Sequence, residues 1–372
     1  MENQTATPVT RRRPRKKKSK APLVFCILRR FLLVFFTLIF MVLVGLILVC
    51  NLIFNGPSTT ARDRLTMSMR ESSGMKWCPA LFIGEDTVAE IEKITAAELP
   101  DELSDYSQIK IDMDNVLSGT DEWENHPDGI RIEKVSGDTY NAYVMIIRDP
   151  SRVYLATSSD NFSTAKTGTR ITEQIEIEGA AAAINAGAFF DDGTSSPTVG
   201  AYPEGLVISE GTVRWKSGKA PQEGFVGFNN DNVMVVAKSM TAEKAMEIGI
   251  RDGCCFGPVL IMNNTINEEA YNANSGLNPR TAVGQRADGA VIFLCIDGRQ
   301  ASSMGGTYAD IIDIMVEYGA VNACNLDGGS STVMLYRDYQ TGDVSMVNSY
   351  SLLQEKPRRM PTFIMVRSES EG

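Results

Sequence analysis

The chain has 372 residues, a hydrophobic content of 43% and a net charge of −10, which gives room for one or two domains with a full core. Ten of its 36 basic residues but only one of its 46 acidic residues, Glu2, lie in positions 1–30, leaving 26 basic against 45 acidic groups, a balance of −19. That balance argues against non-specific nucleic-acid binding, and the single histidine, His126 in a polar ENHPDG run, excludes metal centres and nucleophile–base pairs built on several imidazoles.

Residues 1–30 include RRRPRKKKSK and read as a polybasic cytoplasmic tail with no reason to fold. Phe31–Phe54 follows, 24 residues without a charge, long enough to span a bilayer. It is longer than the apolar core of a cleaved signal peptide and no small-residue cleavage site follows, so the pattern predicts an uncleaved signal-anchor. The basic flank on its N-terminal side places the N-terminus in the cytoplasm and the folded part outside the cell membrane.

Residues 55–127 read as a membrane-proximal stalk. Ser58–Glu71 and Asp86–Thr95 have helical spacing, the second with Val88, Ile91 and Ile94 on one face, and Asp101–Glu124 is acidic and irregular. From Asp128 the texture changes, and residues 128–368 read as the main domain. Short β-like runs fall at Ile130–Val135, Tyr140–Ile147, Val153–Thr157, Ala180–Asn185, Gly205–Ser209, Thr212–Trp215, Val233–Ala237, Val259–Met262, Ala290–Ile296, Ala320–Leu326 and Pro361–Val366. Helices are expected at Ser163–Ile171, Thr241–Ile248 and Tyr308–Tyr318. Many strands with few helices indicate an α+β fold, a mixed β-sheet core with a few packed helices after one transmembrane helix. No C-x-x-C pair occurs, and Cys295 and Cys324 read as small buried core residues.

The stretch from Asn278 to Met334 carries the chemistry. Two apolar runs, Ala290–Ile296 and Ala320–Leu326, each end in an Asp-Gly pair, Asp297-Gly298 and Asp327-Gly328. Between them Ile311, Ile312, Met315 and Tyr318 have helical spacing, and Thr307 with Asp310 three residues later marks the helix start. If the two strands pair in parallel, both Asp-Gly corners share one sheet edge, where α/β proteins place ligands. Asp297 and Asp327 are then candidates for a catalytic carboxylate pair, though Asp before Gly also commonly caps a turn. Arg280 in the Asn-Pro turn and Arg299 are candidate anion ligands. Gly328, Gly329, Ser330 and Ser331 offer successive backbone N–H groups and two hydroxyls to an oxyanion. Ala183–Asp192 reads as a strand end breaking into small residues with Asn185 exposed at the corner, and Asn185 and Asn325 complete the candidate set.

INAGAFFDDG, FGPVLI, NPRTAVG, IDGR and NLDGGSS, in this order, resemble the blocks of the phosphodiester glycosidase family over roughly residues 128–367. The family usually has Asn-Gly-Gly where this chain has Asn185-Ala186-Gly187, and often a third Gly where it has Ser330. The resemblance implies hydrolysis of sugar-1-phosphodiester bonds in surface or exopolysaccharide-type glycans. Arg280 and Arg299 would hold the phosphate with the Gly328–Ser331 backbone, one aspartate would serve as base or nucleophile with the other assisting, and Asn185 and Asn325 would bind sugar hydroxyls or place water. No cofactor or metal is required, although two carboxylates and an Asn are a donor set calcium accepts. The expected partners are a carbohydrate phosphodiester and, through the N-terminal helix, a membrane. The rival reading is a non-catalytic surface module binding phosphate-containing glycan with the same residues.

Overall fold

The computed structural model describes all residues except 1–22, 71, 73, 96–102, 114–115, 117–122, 191–199, 218–223, 351–355 and 370–372. Most of the basic tail and much of the acidic segment at 101–124 lie outside the described residues. The chain divides into two compact units, residues 1–53 and 54–372. The first holds nearly all of helix α1, Leu23–Phe54, whose Ile27–Phe54 part has a mean hydropathy of 3.2 and whose apolar side chains from Phe31 to Val49 are exposed. Such a helix is long and apolar enough to cross a membrane.

The second unit begins with α2, Thr59–Arg70, α3, Cys78–Ile83, and α4, Glu85–Thr95. As the spacing predicts, Val88 and Ile91 of α4 are buried. Arg70 reaches from α2 to Glu92 on α4 with Nε and Nη2 at 2.7 and 3.3 Å, the fork geometry that suits a carboxylate. Phe54 stacks on Phe82 with ring centroids 5.0 Å apart.

Thereafter short strands dominate: β1 Ile130–Ser136, β2 Asn141–Ile147, β3 Val153–Thr157, β4 Thr169–Arg170, β5 Ala182–Asn185, β6 Leu206–Ser209, β7 Thr212–Lys216, β8 Phe225–Asn229, β9 Met234–Ala237, β10 Ile250–Cys255, β11 Val259–Met262, β12 Thr265–Ile266, β13 Arg280–Arg286, β14 Val291–Ile296, β15 Ala320–Leu326, β16 Met334–Arg337, β17 Val344–Met346, β18 Arg359–Met360 and β19 Thr362–Val366. The helices among them are α5 Ile171–Glu178, α6 Ala242–Glu247, α7 Glu268–Asn272 and α8 Tyr308–Glu317. The fold is α+β, with a seven-stranded sheet ordered β1-β2-β14-β13-β15-β11-β12 and two five-stranded sheets, β7-β6-β10-β8-β9 and β17-β16-β5-β19-β3. The helix expected at Ser163–Ile171 forms later, as α5. Asn161 takes the Ser163 N–H on its own side chain at 3.1 Å, a local bond that competes with a helix ladder.

The seven-stranded sheet sets the site. β14 and β15 do not pair with each other. β13 lies between them and runs antiparallel to both, with Arg280 opposite Ile296 and Thr281 opposite both Cys295 and Leu326. The two outer strands therefore run parallel to one another, and both Asp-Gly corners reach the same edge by this route rather than by direct pairing. β14 is apolar throughout because it is covered on both faces. Val291, Phe293 and Cys295 enter one core, while Ile292, Leu294 and Ile296 enter another with Ile311, Ile312, Ile314 and Met315 of α8. A full capping box opens α8: Thr307 Oγ1 accepts from the Asp310 N–H at 3.2 Å, and Asp310 Oδ2 accepts from the Thr307 N–H at 2.7 Å. Cys295 and Cys324 are fully buried free thiols.

Candidate active site

The two Asp-Gly corners close on the start of β13. A Cβ on Gly298 would stand 2.6 Å from Pro279 N, and one on Gly328 would stand 2.7 Å from Pro279 O. Only a residue without a side chain lets the three segments meet this closely. Gly329 N donates to Pro279 O at 2.8 Å and Ser331 N to Gly328 O at 3.1 Å, so these two amides serve the turn itself rather than a bound oxyanion.

Where the corners meet, a cleft of about 550 Å³ opens. Its polar side comes from the sheet edge: Asn278 and Pro279 before β13, Asp297 to Arg299 after β14, Gly329, Ser330 and Thr332 after β15, and Asn348 to Tyr350 after β17. Its other side comes from Leu65, Ser68 and Met69 of α2 and the turn around Ser72 and Met75. Arg299 holds a left-handed backbone (φ 57°), which costs an ordinary residue energy and is found where structure around it enforces it. Its Nη2 donates to Asn278 Oδ1 at 3.0 Å, and its guanidinium lies over Gly329, 3.4 Å from where a Cβ would stand.

Asp297 is 3% exposed although it lines the cleft. Burial pushes its carboxyl above the usual aspartate range; the N–H of Ser349, at 2.9 Å from Oδ1, and the Asn348 amide, at 3.4 Å, pull back against that. A carboxyl held by two donors and raised by desolvation is suited to proton transfer. The hydroxyls of Ser331 and Thr332 are buried and meet no hydrogen-bond partner among the described residues. An unmade bond of this kind costs about 1–3 kcal/mol, and for Thr332 at the cleft wall the natural remedy is a bound group or water.

Asp327 and Gly328 precede the lining residues Gly329 and Ser330 in the same turn. Asp327 N donates to Ala186 O at 3.1 Å. Asn185, expected from the sequence to be exposed at the corner, is instead fully buried behind that turn, because its amide is taken up by three neighbouring segments. Its Nδ2 donates to Asp327 O, and its Oδ1 accepts from Thr281 Oγ1 at 2.8 Å and Val333 N at 3.2 Å. Arg280 begins β13 rather than standing in a turn, and is 4% exposed. Its guanidinium donates to Gly276 O and Gly306 O at 2.8 and 3.2 Å and stacks on Tyr308 at 4.6 Å, behind the cleft wall. Asn325 donates to Gly257 O at 2.8 Å, and its Oδ1 has no hydrogen bond among the described residues. Among those residues no group of three or more His, Cys, Asp or Glu side chains converges as a metal site would.

Sequence reasoning passed over Asn278, Thr332, Asn348, Ser349, Tyr350 and the α2 face. Asn278 opens the Asn-Pro-Arg block and was within reach; the others sit in runs with no spacing signal, and tertiary packing alone brings them in. Tyr350 braces the second corner by donating to Ser330 O at 2.7 Å, and Arg358 donates to Ser330 Oγ at 3.4 Å while lying over Phe189 at 4.7 Å.

Comparison with known proteins agrees with the block pattern. An uncharacterized SPbeta prophage-derived protein of Bacillus subtilis, YomE, is 31% identical over 136 residues, covering 34% of this chain and 21% of that protein. The chain thus matches about a fifth of that relative's length. Among solved structures, the catalytic domain of zebrafish N-acetylglucosamine-1-phosphodiester alpha-N-acetylglucosaminidase, auto-inhibited by its pro-peptide, matches with a TM-score of 0.51 at 19% identity, over 66% of this chain and 85% of that one. A hypothetical protein from Synechocystis matches with a TM-score of 0.43 at 18% identity, over 64% of this chain and 61% of that one. At 19% identity the likeness to the zebrafish domain is one of fold. A profile of the phosphodiester glycosidase family matches residues 178–367, just over half of the chain and the whole of the sheet edge that carries both Asp-Gly corners, and the chain belongs to that family.

Proposed function

We propose that this domain hydrolyses the C1–O bond of a sugar-1-phosphodiester in a surface or exopolysaccharide-type glycan, held outside the membrane by α1. The observation that carries the reading is that one cleft is lined both by a buried carboxyl, Asp297, held by Ser349 and Asn348, and by Arg299, whose guanidinium is fixed by Asn278 over Gly329. Water adds to the anomeric carbon, the C1–O bond breaks, and the products are a free sugar and a phosphate monoester. The monoester is a competent leaving group, so the main needs are an anion ligand and carboxylates at the anomeric centre. Arg299 holds the non-bridging phosphate oxygens with the hydroxyls of Ser330 and Thr332. Asp297 moves the proton, and Asp327 faces the positive charge that develops at the anomeric carbon. Asn185 and Arg280 act through position: the first fixes the Asp327 turn, the second ties the Gly276 and Gly306 loops beside β13.

The test is release of free sugar from α-linked sugar-1-phosphodiesters (N-acetylglucosamine, glucose and galactose) by the full chain in nanodiscs, with Asp297→Asn and Asp327→Asn alongside. Release by the parent, reduced by roughly 10²–10⁴-fold in the variants, is the expected result. Binding of the same esters without release by the parent would overturn hydrolysis in favour of a glycan-binding module.

A further inference from the structure

The cleft has two chemically different halves. The sheet edge supplies Asp297, Arg299 and Ser330, and the juxtamembrane segment supplies Leu65, Met69 and Met75 together with Ser72 and Ser68, whose hydroxyl is already bonded to Leu277 O. Leu65 and Met69 are one helical turn apart, so α2 turns a single apolar stripe to the cleft. That stripe is fixed to the catalytic body: Ser68 Oγ donates to Leu277 O at 3.2 Å and Asn274 Nδ2 to Asp63 Oδ2 at 3.3 Å. Gly276 runs so close beneath α2 that a Cβ there would stand 2.3 Å from Ser68 N. With about 550 Å³ still open, α2 is a wall of the cleft and not a plug in it.

Resting on the proposed hydrolysis, we infer that the group esterified to the far side of the phosphate is an apolar chain, packed on Leu65, Met69 and Met75, so that the substrate class is a glycosyl phospholipid-like amphiphile. A sugar or glycerol there would set hydroxyls against three apolar side chains that offer them no partner. An alkyl or prenyl chain removes both surfaces from water. The covalent arrangement points the same way: only four residues, 55–58, separate the end of α1 from the start of α2. A chain whose apolar span is followed, four residues on, by the helix that supplies the apolar wall matches an amphiphile with a soluble sugar phosphate and an insoluble tail.

Methyl and hexyl diesters of the same sugar-1-phosphates test this with the full chain in nanodiscs. The hexyl ester is expected to exceed the methyl ester by at least tenfold in kcat/KM. Leu65→Asn and Met69→Gln, made separately in case one fails to fold, should each bring that ratio towards one. Leu81→Asn, on the exposed face of α3 and outside the cleft, should leave the ratio as it is. Equal turnover of the two esters by the parent, or a preference that survives both α2 variants, overturns the apolar subsite while leaving hydrolysis standing. No turnover of any ester overturns the hydrolase reading and this inference with it.

Discussion

The guanidinium of Arg299 donates to Asn278 Oδ1 at 3.0 Å, joining the corner after β14 to the residue that leads into β13. The bond aims a long side chain from a left-handed residue across Gly329 and into the cleft. Preorganisation of this kind spares a substrate the entropy of fixing a flexible arginine.

The backbone at Arg299 suits glycine better than arginine, so the two roles of the position separate. Arg299→Gly should change thermal stability little, because relief of the strain at φ 57° offsets the loss of the bond to the buried Asn278 Oδ1. It should lower kcat/KM by roughly 10- to 100-fold, the worth of about 1.5–3 kcal/mol for a hydrogen bond to a charged group, mostly through KM. Arg299→Lys should recover only part of this, since an ammonium lacks the fork. Steady-state kinetics and a melting curve decide it; a variant with unchanged KM would remove Arg299 from phosphate binding.

Asp297 predicts a pH dependence of stability. Burial raises its folded-state pKa above the unfolded value, so between the two the folded chain binds more protons. Its contribution is complete below the ordinary aspartate range and is lost as pH rises through the folded value. Asp297→Asn keeps an acceptor for the Ser349 N–H and Asn348 amide without the buried charge. The variant should therefore melt higher than the parent at pH 7, and the gap should close as pH falls below about 4. Melting curves across that range check the sign; a gap that widens in acid would mean the carboxylate is stabilised by its surroundings.

What the sequence disclosed follows from which signals are local. β14 and β15 were legible because burial on both faces leaves an unbroken apolar run, and α8 because its capping box is written in two residues, Thr307 and Asp310. β13 was not: RTAVGQR mixes Arg, Thr, Gly and Gln, yet all but Arg286 are buried, since their polar groups are satisfied across the sheet. Gln285 alone donates to Asn232 O and Gly289 O, each at 2.9 Å. β8 and β10 carry Gly227 and Gly253, which dilute a strand pattern; a Cβ on Gly227 would stand 2.6 Å from Asp252 O, a constraint visible only in three dimensions. The candidate site divides the same way. Both Asp-Gly corners were found from the ends of apolar runs. The α2 wall and the Asn348–Tyr350 segment reach the cleft from far along the chain, and no spacing within either announces it.

Asn185 gives the sharpest separation between structure and substrate contact. It is fully buried, and its amide joins Asp327 O, the Thr281 hydroxyl and the Val333 N–H, three groups from three segments. Asn185→Ala removes all three of these bonds from a dry interior, at about 1–3 kcal/mol for each bond lost and not regained. Some relaxation is expected, so a fall of roughly 5–10 °C in Tm, corresponding to about 2–3 kcal/mol for a domain of this size, is the predicted outcome. Turnover should fall as well, because the Asp327 turn loses its support. Asn185→Asp should be worse, since a carboxylate would face the Asp327 carbonyl where an N–H now stands. A direct sugar ligand behaves otherwise: the alanine variant would melt like the parent and raise KM. Melting and kinetics measured on the same preparation therefore assign the residue, and loss of stability together with turnover places Asn185 as the strut beneath the second Asp-Gly corner.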